Sequence, residues 1–194
     1  MIKSIWFDGG GVLITGAAAQ TRIALAAEFG FSESVEQEWR TAYKEFETGN
    51  MSFEDFVARL SKGRVTLEEI KELYCSFIQE IPGTMDILRH LQGKYLLVYA
   101  NNEAREFDEW RNEKIDHFRY FDVRCSSWVS HRLKPDPAFF QYILEKIKLQ
   151  AEECLFIDDK ERNVLAAITL GIDSILFTDA EQLKIELRKR GIAV

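Results

Sequence analysis

The sequence contains few cysteines and few prolines, and it has no long apolar run. Its three cysteines, Cys75, Cys125 and Cys154, are widely separated and lack the paired spacing of a zinc site, so we expect reduced, mostly buried thiols. No apolar stretch approaches the roughly 20 residues that cross a bilayer. Met1–Ser4 leads directly into an apolar strand pattern, which is unlike a signal peptide. We therefore expect a cytoplasmic protein with no membrane partner.

Basic residues are also in the minority, with 25 Lys and Arg against 32 Asp and Glu and a formal net charge of -7 at pH 7. Nucleic-acid binding favours basic surfaces, so this balance argues against a nucleic-acid partner. The chain of 194 residues is 46% hydrophobic. That is enough for one α/β domain with an insertion.

Apolar patterning divides the chain into two kinds of segment. From 16 to 82 the apolar residues recur with helical spacing, which predicts a helical bundle inserted after the first strand. After residue 83, strand and helix patterns alternate, which predicts a parallel sheet with helices on both faces. The short apolar runs that predict strands are 3–7, 95–100, 121–125, 154–157 and 174–177.

Acidic or amide residues follow three of these strands. Asp8 follows the first, Asn101 ends the second, and Asp158 and Asp159 end the fourth. Ligands bind at the carboxyl edge of a parallel sheet, where these residues would meet. Three carboxylates at one place would repel one another unless a cation lay between them. Oxygen ligands of this kind suit Mg²⁺.

Two further features favour an anionic ligand at the same edge. Lys134, in a loop, would supply a mobile positive charge to an anion and to the Asp8 carboxylate. The glycines after Asp8 let backbone N–H groups converge on an anion. A nucleophilic aspartate, a cation, a lysine and backbone amides together indicate phosphoryl transfer through an aspartyl phosphate.

Four motifs resemble, in order and approximate spacing, those of the haloacid dehalogenase superfamily. They are Phe-Asp-Gly-Gly-Gly-Val-Leu at 7–13, Val-Tyr-Ala-Asn at 98–101, Lys-Pro-Asp-Pro at 134–137 and Phe-Ile-Asp-Asp at 156–159. The chain looks most like the small sugar-phosphate phosphatases of that superfamily. The resemblance implies an α/β fold, with a Rossmann-like core of residues 1–15 and 83–194 and a helical cap of residues 16–82.

The resemblance also implies a reaction and a set of site residues. It implies a Mg²⁺-dependent phosphatase that acts on a small phosphorylated metabolite, with Asp8 as the nucleophile and Lys134 as the second catalytic residue. The implied magnesium ligands are Asp8, the Gly10 carbonyl, Asp158 and Asp159. The implied substrate-binding residues are Gly9, Gly10, Asn101, Asn102 and Lys134.

The sequence departs from the superfamily pattern at two positions. Gly10 stands where an Asp usually acts as general acid and base, a function typically worth ~10²–10⁴-fold in rate. Ala100 stands where a Ser or Thr hydroxyl usually binds the phosphoryl group, an interaction worth roughly 1.5–3 kcal/mol. These changes motivate one alternative, a catalytically impaired member that binds a phosphorylated ligand or a protein. A second alternative is a metal-independent dehalogenase, although the Asp158–Asp159 pair argues against it.

Overall fold

A five-stranded parallel sheet lies at the centre of the computed structural model, which describes residues 1–29, 33–61 and 63–194. Its strands are β1 (Ser4–Phe7), β2 (Leu96–Asn101), β3 (Val123–Ser126), β4 (Cys154–Asp158) and β5 (Asp173–Leu176). The spatial order is β3-β2-β1-β4-β5, so β1 pairs with β2 on one side and with β4 on the other. The residues that end these three strands are therefore neighbours at one edge of the sheet.

Helices connect the strands and cover the sheet. They are α1 (Ala17–Phe29), α2 (Glu33–Glu47), α3 (Phe53–Ser61), α4 (Leu67–Ser76), α5 (Thr84–Leu91), α6 (Arg105–Ile115), α7 (Ser127–Ser130), α8 (Pro137–Ile147), α9 (Glu161–Thr169) and α10 (Ala180–Lys189). The predicted α/β fold class is confirmed. All five predicted strands are present, and no end differs from its predicted position by more than two residues.

Successive side chains of each strand point to opposite faces of the sheet. Both faces are buried because helices cover each of them. Ile5 and Phe7 of β1 belong to one apolar core, which includes side chains of α5 and α10. Trp6 lies in a second core with side chains of α8 and α9. Burial on both faces explains why the strands are continuously apolar rather than alternating.

Helices α1–α4, here called the helical segment, lie within the predicted insertion of residues 16–82. They share an aromatic core with α6, which contributes Phe107 and Trp110. The ring centroids of Phe46 and Phe56 are 4.5 Å apart, and those of Tyr74 and Phe107 are 4.1 Å apart. The helical segment is thus packed against α6 at the carboxyl edge of the sheet. The division into a core and a cap stays a prediction.

Two other expectations concern cysteines and membranes. All three cysteines are unpaired, and Cys125 and Cys154 are buried. Within the described ranges, no helix combines the length and the apolar character that a membrane crossing requires.

Candidate active site

Lys134 connects two of the predicted site carboxylates. Its Nζ donates hydrogen bonds to Asp8 Oδ1 at 2.7 Å, to Asp158 Oδ2 at 2.6 Å and to the Ala100 carbonyl at 2.7 Å. An ammonium group has three N–H donors, so these contacts use all of them. Lys134 is 3% exposed. The predicted meeting of Asp8 and Asp158 beside this lysine is present in the structure.

Asp158 has its oxygens occupied by donors of the protein itself. Oδ1 accepts from the backbone N–H of Lys160 at 2.8 Å, and both oxygens accept from Asn163 Nδ2 at 3.0 Å. Together with the contact to Lys134, these bonds fix the orientation of a carboxylate that is fully buried. Asp158 therefore holds Lys134 in place beside Asp8.

Asp159 directly follows the last residue of β4 and is more open than Asp158. Its side chain is 32% exposed, and its Oδ1 is 3.9 Å from Lys160 Nζ. A Cβ built at Gly11 would overlap the Asp159 carboxylate, and the φ of Gly11 is +96°. Glycine is therefore required at position 11, both by the backbone conformation and by the close approach of this carboxylate.

The three carboxylates form a compact oxygen cluster, since one ligand atom each from Asp8, Asp158 and Asp159 lie within 4.8 Å of one another. Burial, and then the charge of Asp158, raise the pKa of Asp8 to about 6, although Lys134 and Lys160 oppose the increase. Burial alone would lower the pKa of Lys134, but the two carboxylates outweigh it and hold that pKa above its ordinary value. One lysine between two buried carboxylates leaves negative charge that a divalent cation could neutralise.

The two predicted asparagines have different surroundings. Asn102 forms a reciprocal pair with Lys134, because its Nδ2 donates to the Lys134 carbonyl and its Oδ1 accepts from the Lys134 N–H, both at 2.9 Å. The Asn101 amide instead donates to the Tyr99 hydroxyl at 2.8 Å and to Asp108 Oδ1 at 3.0 Å. Asn102 thus positions the lysine loop, and the donor group of Asn101 faces the interior. Their predicted contacts with substrate stay predictions.

A second charged cluster, which was not predicted from the sequence, lies next to Gly9, Gly10 and Gly11, here called the glycine turn. We call Glu103, Asp108 and Arg111 the Arg111 cluster. Each of the three is at most 2% exposed, and Arg111 Nη2 forms an ion pair with Glu103 Oε2. Hydroxyl groups from the helical segment complete it, because Tyr43 and Tyr74 both donate to the Glu103 carboxylate.

The Arg111 cluster borders the position where the superfamily pattern has its Asp. A Cβ built at Gly10 would lie 3.5 Å from Arg111 Nη2. Arg111 Nε and Nη1 are buried and have no hydrogen-bond partner among the described residues. Burial raises the pKa of Glu103, with Arg111 opposing that effect. A buried cation therefore lies where a carboxylate at position 10 would have pointed.

The comparison with protein families identifies the class. Residues 2–171 match the model of the haloacid dehalogenase-like hydrolases. The chain belongs to the haloacid dehalogenase-like hydrolase family, as the four motifs predict.

Two curated relatives are similar over nearly the whole chain, and both are named as phosphatases. A sesquiterpene phosphatase of Aspergillus oryzae is 29% identical over 96% of this chain and 95% of its own length. A D-ribitol-5-phosphate phosphatase of Bacteroides thetaiotaomicron is 27% identical over 90% of this chain and 91% of its own length.

Solved structures share the fold. A family enzyme from Bacteroides thetaiotaomicron in complex with magnesium has a TM-score of 0.83 and 24% identity, and the match covers 96% of this chain and 98% of that one. The same enzyme with magnesium and inorganic phosphate has a TM-score of 0.80, also at 24% identity, covering 92% of this chain and 96% of that one. At this identity the likeness supports the fold alone.

Proposed function

We propose that this chain is a Mg²⁺-dependent phosphatase that hydrolyses a small phosphorylated metabolite through an aspartyl phosphate on Asp8. The observation that carries the proposal is the convergence of Asp8, Asp158 and Asp159 within 4.8 Å, next to Lys134. The named phosphatases among the relatives support phosphate monoesters of small organic alcohols as the substrate class.

The residues present fit a magnesium ion. Asp8 and Asp159 offer carboxylate oxygens, and the Gly10 carbonyl is the further ligand that the resemblance implies. Asp158 lies beside the two carboxylates with its oxygens already bonded to Lys134 and Asn163. When bound, the ion would neutralise charge on the phosphoryl oxygens and reduce their repulsion of the attacking carboxylate. Asp158 is the predicted ligand that contributes least directly, because its lone pairs already accept hydrogen bonds.

The protein residues carry out the remaining chemistry in two steps. A carboxylate oxygen of Asp8 attacks phosphorus, the bond from phosphorus to the leaving oxygen breaks, and the departing alkoxide takes a proton from solvent water to form the alcohol. Water then attacks the aspartyl phosphate, and the bond between phosphorus and the Asp8 oxygen breaks to release inorganic phosphate. Lys134 holds the Asp8 carboxylate in position throughout and compensates its charge.

The test is phosphate release from p-nitrophenyl phosphate with Mg²⁺. We expect wild-type protein to release phosphate and Asp8→Asn to fall to the background rate, because an amide does not attack phosphorus. Asp86→Asn, on the exposed side of α5, is the matched control and should behave as wild type. Equal residual rates for wild type and Asp8→Asn would contradict the proposal.

The alternatives have distinct outcomes in the same preparation. Binding of beryllofluoride without turnover would favour a catalytically impaired member, which Gly10 and Ala100 motivate. Halide release from a 2-haloacid in the presence of EDTA would favour a dehalogenase.

A further inference from the structure

We propose that Lys160 binds the phosphoryl group of the substrate, from a position that none of the four motifs includes. This inference rests on the proposed phosphatase function and deepens it. It is based on a half-exposed ammonium group beside the carboxylates of Asp8, Asp158 and Asp159, at a site where the other predicted side-chain donors are mostly occupied or missing.

The backbone of Lys160 is held at the carboxyl end of β4. Its N–H donates to Asp158 Oδ1 at 2.8 Å. Its carbonyl accepts from the N–H groups of Asn163 at 2.9 Å and Val164 at 3.2 Å, in the first turn of α9. The side chain of Lys160 therefore starts from a fixed point next to the three carboxylates.

The Lys160 ammonium lies on the open side of these carboxylates. Its Nζ is 3.9 Å from Asp159 Oδ1, and the side chain is 47% exposed. One oxygen of Asp159 lies within 4.8 Å of an oxygen of Asp8, so a group held between these two carboxylates is within reach of the flexible lysine side chain. An ion pair of this length and exposure contributes little to stability, so the ammonium is available to a ligand.

The side chains that the resemblance assigns to the phosphoryl group have few donors left. All three N–H groups of Lys134 Nζ are used within the protein. Both N–H groups of Asn101 Nδ2 donate to Tyr99 and Asp108, and the alanine before Asn101 has no hydroxyl. Asn102 Nδ2 gives one of its two N–H groups to the Lys134 carbonyl.

Lys160 differs from Lys134 in this respect. Within the described residues its Nζ donates no hydrogen bond, so all three N–H groups of the ammonium are available to phosphate oxygens. Hydrogen bonds between an ammonium and an anionic oxygen are roughly twice as strong as neutral ones. Lys160 can therefore compensate for the hydroxyl that is missing at position 100.

The charge balance of the site leads to the same residue. With Mg²⁺ bound, the ion and Lys134 together carry as much positive charge as three ionised carboxylates carry negative charge. A phosphate monoester dianion would then meet a site with no net positive charge. The Lys160 ammonium supplies the charge that attracts it.

Lys160 acts on binding rather than on bond breaking. It donates to phosphoryl oxygens that stay bonded to phosphorus in both steps of the reaction, so it forms and breaks no covalent bond. These oxygens are charged in the ester as well as in the transition state. We therefore expect the interaction to affect KM rather than kcat.

The first test is the kinetics of Lys160→Met on p-nitrophenyl phosphate at saturating Mg²⁺, with inorganic phosphate as an inhibitor. We expect KM and the inhibition constant of phosphate to rise about 10-fold, the lower end for a hydrogen bond to a charged group, and kcat to stay within about 3-fold of wild type. Lys160→Arg keeps the charge and should recover most of the loss. Lys189→Met is the matched control and should match wild type, because Lys189 is an exposed lysine near the end of α10 that also pairs with a carboxylate.

Titration calorimetry with Mg²⁺ alone distinguishes phosphoryl binding from a structural function. Lys160→Met removes a positive charge beside Asp159, so Mg²⁺ should bind at least as tightly as it does to wild type. If the lysine only orients Asp159, the variant should lose affinity for Mg²⁺ and for phosphate together. That result would overturn the proposal.

Failure of this inference is distinguishable from failure of the proposed function. Unchanged KM and phosphate inhibition in Lys160→Met, with an active wild type, would overturn the assignment of Lys160 alone. If wild type releases no phosphate, the proposed function is wrong, and calorimetric titration of the Mg²⁺-bound proteins with inorganic phosphate tests Lys160 separately. Equal phosphate affinities in wild type and Lys160→Met, or no binding to either, would then overturn the assignment as well.

Discussion

Two charged clusters border the glycine turn, and they differ in how their charges are balanced. The first, here called the nucleophile cluster, consists of Asp8, Asp158, Asp159 and Lys134. In the Arg111 cluster, one guanidinium meets two carboxylates that also accept hydrogen bonds from tyrosine hydroxyls and an indole. In the nucleophile cluster, one ammonium serves two buried carboxylates while a third, on Asp159, stays partly open.

This difference distinguishes a cluster that could bind a cation from a cluster with a structural function. The carboxylates of the Arg111 cluster have partners from the protein, and removing such a partner leaves an uncompensated buried charge. A cluster with an open carboxylate and surplus negative charge has room for a cation from outside. By this criterion we predict that the nucleophile cluster is the reactive one and that the Arg111 cluster joins the helical segment to the sheet.

The largest expected effect comes from removing each central cation. In EDTA, Lys134→Met and Arg111→Met should each lower the free energy of unfolding by about 3–5 kcal/mol, because each leaves buried carboxylates unpaired. Chemical denaturation measures this. Lys134→Met should also lose phosphate release entirely, whereas folded Arg111→Met should retain it.

Added Mg²⁺ should change the stabilities of these two variants differently. It should restore part of the stability of Lys134→Met, since a cation can replace the lost charge between Asp8 and Asp158, and it should not help Arg111→Met. Loss of turnover in folded Arg111→Met would remove the distinction between the two clusters.

A smaller effect is expected at the boundary of the nucleophile cluster. Gly11→Ala would place a Cβ against the Asp159 carboxylate at a φ of +96°. We expect Mg²⁺ affinity, measured by titration calorimetry, to fall about 10–100-fold, the range seen when groups that orient metal ligands are changed. A Cβ at Gly16 has no atom within 4 Å, so Gly16→Ala is the control. Equal affinities in the two variants would show that Asp159 is not a ligand.

The smallest effect concerns the hydroxyl groups that complete the Arg111 cluster. Tyr43→Phe removes a donor to Glu103 and should cost about 1.5 kcal/mol of unfolding free energy, at the lower end for bonds to charged groups. Tyr74→Phe should cost less, because its bond to Glu103 is longer at 3.3 Å. The reverse order, measured by denaturation, would contradict the geometry.

Much of the fold follows from the sequence, because buried parallel strands are short apolar runs and their ends are polar. Asp8 and Asp158 could be expected to meet once β1 and β4 were expected to be neighbours. The different environments of Asp158 and Asp159 do not follow from the strand pattern, because β4 ends at Asp158 and Asp159 lies beyond it.

The Arg111 cluster could not be predicted in this way. Asp108 and Arg111 lie on a polar stripe of α6 that resembles a solvated helix face. In the structure Tyr99 and Trp128 bond to Asp108, and the Tyr74 ring of the helical segment lies against Arg111. The orientation of the Asn101 amide could not be predicted from the sequence either. Strand spacing places the residue at the edge of the sheet, but the Tyr99 and Asp108 side chains determine which way its amide points.

The aromatic core that α6 shares with the helical segment also affects folding. Phe107 stacks on Tyr74 and packs edge-on against Phe46, so neither part can bury its rings without the other. Separating them would expose several aromatic side chains to water, each worth roughly 1.5–3 kcal/mol of burial. We therefore expect the helical segment and α6 to unfold together as one cooperative unit.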